Sequence, residues 1–322
     1  IVGTLIAISS KTWVSMWVGL EINLLSIIPL MVNIKNKMET EAAMKYFITQ
    51  ALASTILMMA IILMLTKMEM IKSMKMTSLI LDLAILTKMG AAPFHFWFPE
   101  VMEGLSWMNA MIMLTWQKIA PMNIFMYLNK PMLLTTTVIV TSMMISGLMG
   151  INQISMRKIL AYSSINHIGW MIGAMMTNQS LWMIYFIIYS LMTINITMMF
   201  KMLNISFISQ LINSMNQNKM MKIMFSLNFL SLGGIPPFIG FYPKWITINS
   251  MIQENMFSLT LIMIIMTLMT LAFYMRITFT SSIMMTTEIN MKSNNKMSNK
   301  MIMLNFIVIY SLALCPLMIS FI

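Results

Sequence analysis

The chain has 322 residues, of which 59% are hydrophobic and only 9% are charged, and its mean hydropathy is +0.83. A soluble domain carries about 25% charged residues, so this composition excludes a soluble protein and predicts an integral membrane protein. The net charge of +11 does not indicate a nucleic-acid partner, because most lysines and arginines lie between apolar segments, where they orient membrane proteins.

Metal and cofactor sites have few candidate ligands in this sequence. There is one cysteine, Cys315, and the two histidines, His95 and His167, lie in different apolar segments. A single thiol excludes an internal disulfide, an iron–sulfur cluster and a thiolate zinc site. The sequence leaves open a haem held by both histidines, although nothing supports one. These counts leave few ways for the chain to hold a metal ion or a cofactor.

Apolar segments of membrane-spanning length recur along the chain. Helices are expected because a helix satisfies its own backbone hydrogen bonds in lipid, and the segments are too long for barrel strands. The first, IVGTLIAIS, is too short to span, so we expect the first helix to be truncated. The predicted fold is an all-α polytopic membrane helical bundle of about eleven transmembrane helices, at residues 1–8, 14–32, 43–66, 77–98, 107–129, 131–149, 159–176, 180–203, 223–252, 256–284 and 301–322.

Two of these helices are interrupted by glycine and proline. The fourth breaks at Gly90–Pro93 and the ninth at GGIPP, Gly233–Pro237. They lie an odd number of spans apart and so would cross the membrane in opposite directions; paired broken helices of this kind point to a transport site. The alternative is that both breaks are ordinary proline kinks. The predicted organisation is a single antiporter-like domain, 1–322, with inverted repeats at roughly 1–129 and 131–284 and a C-terminal helix at 301–322.

The main candidates among the ionisable groups inside apolar segments are Glu21, Lys88, Lys118, His167 and Lys244. At about 1.5 Å per residue, Glu21, Lys118 and His167 are expected roughly 12–16 Å deep, near the midplane. Each charge there costs about 2.5–3.5 kcal/mol, which indicates a function. Burial disfavours the charged forms of glutamate and lysine whereas pairing favours them, so a pair that forms and breaks suits a proton pump. Glu21 has no partner on its own helix, and we expect it to pair with Lys88.

The three lysines also have structural interpretations. Lys88 could cap the carbonyls freed at the Gly90 break. Lys244, in FYPKW, could anchor the chain at the membrane interface beside Trp245. For Lys118 we expect an uninterrupted helix over 107–129 with no helix end nearby, which favours a functional role.

His95 and Asp82 are further candidates, and they and His167 have alternative interpretations. His167 follows Ser163 and Ser164 by one turn on the same face, and hydroxyls beside a buried histidine suit a hydrated proton path. A hydrogen-bonded core histidine is the alternative. For His95, which lies among aromatic residues, packing and proton transfer both stay open. Asp82 lies near the end of its segment, and the alternative to a functional role is exposure to loop water.

Five segments stand out in composition and order. They are GLEINLLS, TKMGAAPFHFWFPEVMEGLSWMNA, TWQKIAPM, GINQISMRKILAYSSINHIGWM and SLGGIPPFIGFYPKW. Together they resemble the animal family of mitochondrial NADH–ubiquinone oxidoreductase chain 2, an antiporter-like subunit of respiratory complex I. The resemblance covers essentially the whole chain, and the 48 methionines resemble the composition of insect members.

The resemblance implies roles for individual residues. The glutamate and the broken-helix lysine of the family fall on Glu21 and Lys88, and its central and distal lysines fall on Lys118 and Lys244. Asp82 departs from the family pattern, in which an apolar or small residue is usual. The implied activity is proton translocation, in which the Glu21–Lys88 pair opens, Lys118 passes a proton on, and Lys244 hands it towards the outer side.

The resemblance also implies a cellular setting. We expect a multi-pass protein of the mitochondrial inner membrane, a subunit of the proton-translocating NADH:ubiquinone reductase. Its expected neighbours are antiporter-like chain 4, the small chain 4L, accessory subunits and phospholipids such as cardiolipin. The resemblance implies no redox cofactor in this chain, and NADH, FMN, iron–sulfur clusters and ubiquinone are expected in other subunits. Two alternatives stay open: a cation/proton antiporter subunit and an inert scaffold of the membrane arm.

Overall fold

A computed structural model describes residues 1–33, 36–66, 71–128, 131–215, 219–236, 238–283 and 305. Within these residues the chain is helical, apart from loops and an isolated bridge between Ser155 and Phe207. The predicted all-α class is therefore confirmed. The predicted C-terminal helix, 301–322, lies outside the described residues except for Asn305, so the predicted helix count is not tested.

The chain forms two compact units, Ile1–Ser142 and Met143–Ile322. In the first unit, α1 and α2 approach closely because Gly3 and Gly19 lie between them; a Cβ on Gly19 would lie 2.6 Å from the amide nitrogen of Ala7. The helices of this unit are α1 Val2–Ser9, α2 Trp13–Met31, α3 Lys37–Leu65, α4 Ile71–Met89, α5 Trp97–Gly104, α6 Trp107–Leu114, α7 Trp116–Met126 and the first part of α8, Met132–Ile151.

The second unit is organised around one helix that is buried along most of its length. Almost every side chain of that helix, α9, is buried from Ile159 to Met175, because α10, α13 and α14 all pack against it. After α8, the helices of this unit are α9 Met156–Thr177, α10 Gln179–Leu203, α11 Ile208–Met215, α12 Lys219–Gly233, α13 Phe241–Gln253 and α14 Phe257–Ile283.

Five of the described helices are long and apolar enough to cross a membrane by length and composition: α2, α3, α8, α10 and α14. Their observed bounds agree with the predicted spans to within a few residues, except that α3 begins earlier. On α3 and α14, large apolar side chains such as Leu52, Met59, Leu261 and Leu268 are exposed, as expected of surfaces that face lipid. The chain is therefore a multi-pass membrane protein.

The first predicted interruption lies in unit 1, between α4 and α5. After Met89, Gly90 adopts φ 73°, a left-handed conformation that glycine tolerates. The amide of Ala91 donates to the carbonyl of Leu86 at 3.1 Å, and the amide of Gly90 donates to Thr87 at 3.1 Å. This arrangement is a Schellman motif. The interruption is confirmed, and backbone bonds satisfy these two carbonyls at the end of α4.

The second predicted interruption lies in unit 2, between α12 and α13, and its first turn has the same backbone form. Gly234 has φ 76°. The amide of Ile235 donates to Leu230 at 3.4 Å, and that of Gly234 donates to Ser231 at 3.0 Å. This interruption is also confirmed, although Pro237 lies outside the described residues.

A third interruption separates α6 from α7, and it was not predicted. Thr115 has φ −112° and ψ −75°, and the amide of Lys118 donates to Thr115 at 3.2 Å. Pro121, inside α7, has no N–H to donate to the carbonyl of Gln117, so the first turn of α7 is weakened. The prediction of an uninterrupted helix over 107–129 is wrong, because Lys118 lies in the first turn of a new helix.

Candidate functional site

An ion pair joins α2 to the end of α4 in unit 1. Nζ of Lys88 lies 3.8 Å from Oε1 of Glu21, and their side chains are 3% and 25% exposed. The predicted pairing of these residues across helices is confirmed, and the ammonium of Lys88 faces a carboxylate rather than the carbonyls of the break. At 3.8 Å the contact is longer than a hydrogen bond, so it is a loose pair that a small movement can open.

A second buried lysine of unit 1, Lys118, lies on α7. Its side chain is buried, and Nζ lies 5.3 Å from the ring centroid of Phe98, within the range of a cation–π contact. Lys88 and Lys118 both line a cavity in which about 20 Å³ is accessible to the centre of a water molecule. That volume holds at least one water, so the cavity joins two of the predicted lysines.

Uncharged polar side chains form part of the cavity wall. Nδ2 of Asn23 donates to Oε1 of Gln117 at 3.1 Å, and Nε2 of Gln117 donates back to Oδ1 of Asn23 at 3.2 Å. The hydroxyl of Tyr46 also donates to Oε1 of Gln117, at 3.3 Å. Gln50 lines the cavity as well. The sequence did not single out these residues, because neutral polar groups are less costly in a membrane helix than charges.

His95 and Asp82 are buried but do not line this cavity. Nδ1 of His95 lies 3.3 Å from the carbonyl oxygen of Pro93, and its ring centroid lies 4.4 Å from that of Phe96. These contacts belong to the break itself and favour the packing interpretation. Asp82 is 0% exposed, so the alternative that it faces loop water is wrong.

Lys244, in the first turn of α13, reaches back across the break of unit 2. Its Nζ donates to the carbonyl oxygen of Gly233 at 2.9 Å and lies 5.9 Å from the ring centroid of Trp170. Lys244 is 6% exposed whereas Trp245 is 41% exposed. The two side chains therefore face in different directions, which contradicts the interfacial-anchor interpretation. The carbonyl-capping role considered for Lys88 is the one that Lys244 has.

His167, on α9, is bonded to a tyrosine of α10. Its Nδ1 lies 2.9 Å from the hydroxyl oxygen of Tyr185, and its ring centroid lies 4.9 Å from that of Tyr189. Ser163 and Ser164 donate to carbonyls of their own helix. The tyrosine pair was missed in the sequence, although Tyr185 and Tyr189 are one turn apart in an apolar span and therefore share a face.

The described residues were also compared with the requirements of a metal site. They contain no group of three or more histidine, cysteine, aspartate or glutamate side chains that could hold a metal ion. The lysines and amides of the unit 1 cavity and the histidine and tyrosines of unit 2 can exchange or orient protons, and that is the chemistry this arrangement offers.

Comparisons with known proteins identify the family of the chain. Residues 10–270 match the family described as NADH:quinone oxidoreductase/Mrp antiporter, TM. The chain is 46% identical to NADH-ubiquinone oxidoreductase chain 2 of Anopheles gambiae over 98% of this chain and 94% of that protein. It is 44% identical to the corresponding chain of Locusta migratoria, over 93% and 88%.

A solved structure shares the fold. The chain superposes on part of respiratory complex I from Thermus thermophilus, determined with bound aureothin, with a TM-score of 0.80 and 23% identity, covering 87% of this chain and 68% of the other. This likeness supports an antiporter-like membrane fold. The family match and the identity to the insect proteins show that the chain belongs to the NADH–ubiquinone oxidoreductase chain 2 family.

Proposed function

We propose that the chain is a proton-translocating subunit of the membrane arm of respiratory complex I in the mitochondrial inner membrane. In this role it couples NADH oxidation and ubiquinone reduction, carried out elsewhere in the complex, to proton movement through its own buried side chains. One observation carries the proposal: Lys88, which is paired with Glu21, and Lys118 line a single water-sized cavity.

The first step is the opening of the loose ion pair. While Glu21 lies beside Lys88, the carboxylate stabilises the charged ammonium. When the two separate, Lys88 is a buried cation without its counter-ion, and its proton moves through a water in the cavity to the neutral amine of Lys118. Lys88 becomes neutral and Lys118 becomes charged, so one positive charge is relayed and none is created.

The second unit carries its own exchangeable groups. The hydrogen bond between His167 and Tyr185 lets the imidazole hold or release a proton at one nitrogen while the other is oriented by the hydroxyl. Lys244, held at the carbonyl of Gly233, supplies a further buried ammonium. We propose that both act in the release of protons.

The chain needs no redox group of its own for this function. We propose that NADH, FMN, iron–sulfur clusters and ubiquinone are bound by other subunits, and that chain 4, chain 4L, accessory subunits and phospholipids such as cardiolipin adjoin this chain. The exposed apolar faces of α3 and α14 are suited to contacts with lipid or with other membrane helices.

The decisive experiment replaces the buried lysine with a side chain of similar length. Lys118→Met in the assembled complex, in sealed membranes, should lower the number of protons translocated per NADH oxidised while the amount of complex is unchanged. The matched control is Lys45→Met, which removes a lysine that is half-exposed and paired with Glu100. Full translocation in Lys118→Met would contradict the proposal.

A further inference from the structure

We propose that the Asn23–Gln117 amide pair is a latch that couples the position of Glu21 to the position of Lys118. The inference rests on the proposed function and adds two positioning residues to it. Neither residue exchanges a proton; each acts through its neighbour along the chain.

The geometry of the pair is that of a two-point contact. Each carboxamide donates one N–H to the oxygen of the other, at 3.1 and 3.2 Å, and Tyr46 adds a third bond to Gln117. Asn23 is 5% exposed, so water competes weakly for these bonds. Two parallel bonds fix the orientation as well as the distance between α2 and α7.

The two amides are placed next to the groups that move. Asn23 lies two residues after Glu21 on α2, and Gln117 immediately precedes Lys118 on α7. Both amides line the same cavity as Lys118 and Lys88. A shift of α2 that carries Glu21 away from Lys88 therefore pulls on Gln117 through the pair.

The start of α7 is built to respond to such a pull. Thr115 departs from helical geometry directly before it, and Pro121 leaves the carbonyl of Gln117 without its helical donor. The first turn of α7, which contains Lys118, therefore follows a non-helical residue and lacks the helical hydrogen bond to the carbonyl of Gln117. Displacement of Gln117 moves Lys118 within the cavity. Lys118 is therefore placed to accept a proton at the moment when the Glu21–Lys88 pair opens.

A purely structural role for the pair makes a different prediction. Buried amides also join membrane helices as simple polar contacts, and removing one member leaves the other unsatisfied. Such a defect lowers the amount of complex and the rate of NADH oxidation together. It does not lower the number of protons translocated per NADH.

The test compares an apolar double variant with an exchange variant in the assembled complex. Asn23→Leu combined with Gln117→Leu removes both amides and leaves no unsatisfied partner from the pair. We expect the complex to assemble and the protons translocated per NADH to fall at least severalfold. Asn23→Gln combined with Gln117→Asn keeps two facing carboxamides, and we expect it to retain most of the coupling. Ser26→Ala, one turn along α2 on an exposed position, is the matched control.

Each outcome decides between the interpretations. Normal coupling in the apolar double variant, alongside loss of coupling in Lys118→Met, overturns the latch and leaves the proposed function intact. Normal coupling in Lys118→Met overturns the proposed function itself. If the apolar double variant does not assemble, Asn23→Ser takes its place, because it replaces the carboxamide with a shorter hydroxyl that does not reach Gln117. Normal coupling in Asn23→Ser overturns the latch.

Discussion

The two helix breaks begin with the same backbone turn but hold their lysines in different ways. In unit 1, Lys88 precedes the break and faces the carboxylate of Glu21, which belongs to another helix, at 3.8 Å. In unit 2, Lys244 follows the break and donates to the carbonyl of Gly233, at the end of the preceding helix, at 2.9 Å. A carboxylate on another helix can move away, whereas a carbonyl of the same break cannot. The Lys88 contact in unit 1 can therefore open, whereas the Lys244 contact in unit 2 is fixed within its own break.

The largest expected effect comes from the packing of the unit 2 break. A Cβ on Gly240 would overlap the carbonyl oxygen of Ser231, and backbone at that point has no room to yield. We expect Gly240→Ala to lower the free energy of unfolding by about 3 kcal/mol or more and to abolish assembly, measured as intact complex on native gels. Gly233→Ala is the control, because its Cβ would meet nothing closer than 3.6 Å. Equal assembly of the two variants would contradict the described packing.

A smaller effect separates the two modes of holding a lysine. Lys88→Met leaves Glu21 without its counter-ion. Because the Glu21 side chain is 25% exposed, we expect the free energy of unfolding to fall by about 1–3 kcal/mol, below the ~3–5 kcal/mol of a fully buried pair. Adding Glu21→Gln removes the uncompensated charge and should restore most of the assembled complex, although coupling stays low. Lys244→Met leaves the carbonyl of Gly233 without its donor at a cost of about 1–3 kcal/mol.

Giving both lysine variants the same second change separates the two ways in which a lysine is held. Glu21→Gln should rescue the assembly of Lys88→Met and should not rescue that of Lys244→Met, as judged by the yield of purified complex. Rescue of both, or of neither, would show that the two lysines are not held differently.

The smallest expected effect concerns His167 of unit 2, which is hydrogen-bonded to the hydroxyl of Tyr185. Tyr185→Phe keeps the ring and removes the hydrogen bond to His167, at a cost of about 1 kcal/mol. We expect normal assembly and a modest fall in protons translocated per NADH, smaller than in Lys118→Met. Tyr127→Phe, at an exposed position, is the control. If the Tyr185 and Tyr127 variants behave identically, the hydroxyl of Tyr185 has no part in proton transfer.

The buried ion pair was predictable because charges are so rare in this chain. Only 9% of residues are charged, and a glutamate within a span needs a partner, which left few choices besides Lys88. The two breaks were predictable because glycine and proline stand inside apolar segments. Gly90 and Gly234 have positive φ, which glycine tolerates and other residues disfavour.

The interruption beside Lys118 was harder to predict because no glycine or proline stands at Thr115. The signal lay six residues downstream in Pro121, whose ring displaces the preceding turn while the helix continues through it. Contacts such as Asn23–Gln117 and His167–Tyr185 depend on which helices pack together, and the spacing of residues within one helix does not determine that. The predicted inverted repeats, 1–129 and 131–284, and the roles of the individual site residues remain predictions.

The bond between Lys244 and Gly233 has a consequence for repeated turnover. An ammonium carries three N–H groups, and the neutral amine left after it gives up a proton still carries two, so the carbonyl keeps a donor in both states. A carboxylate, by contrast, loses most of its attraction once the amine is neutral. If Lys244 releases and regains a proton, as proposed, its side chain stays at the carbonyl of Gly233 in both states and does not change rotamer between cycles. Under the proposed function, Lys244 therefore offers the same geometry to each proton that it accepts.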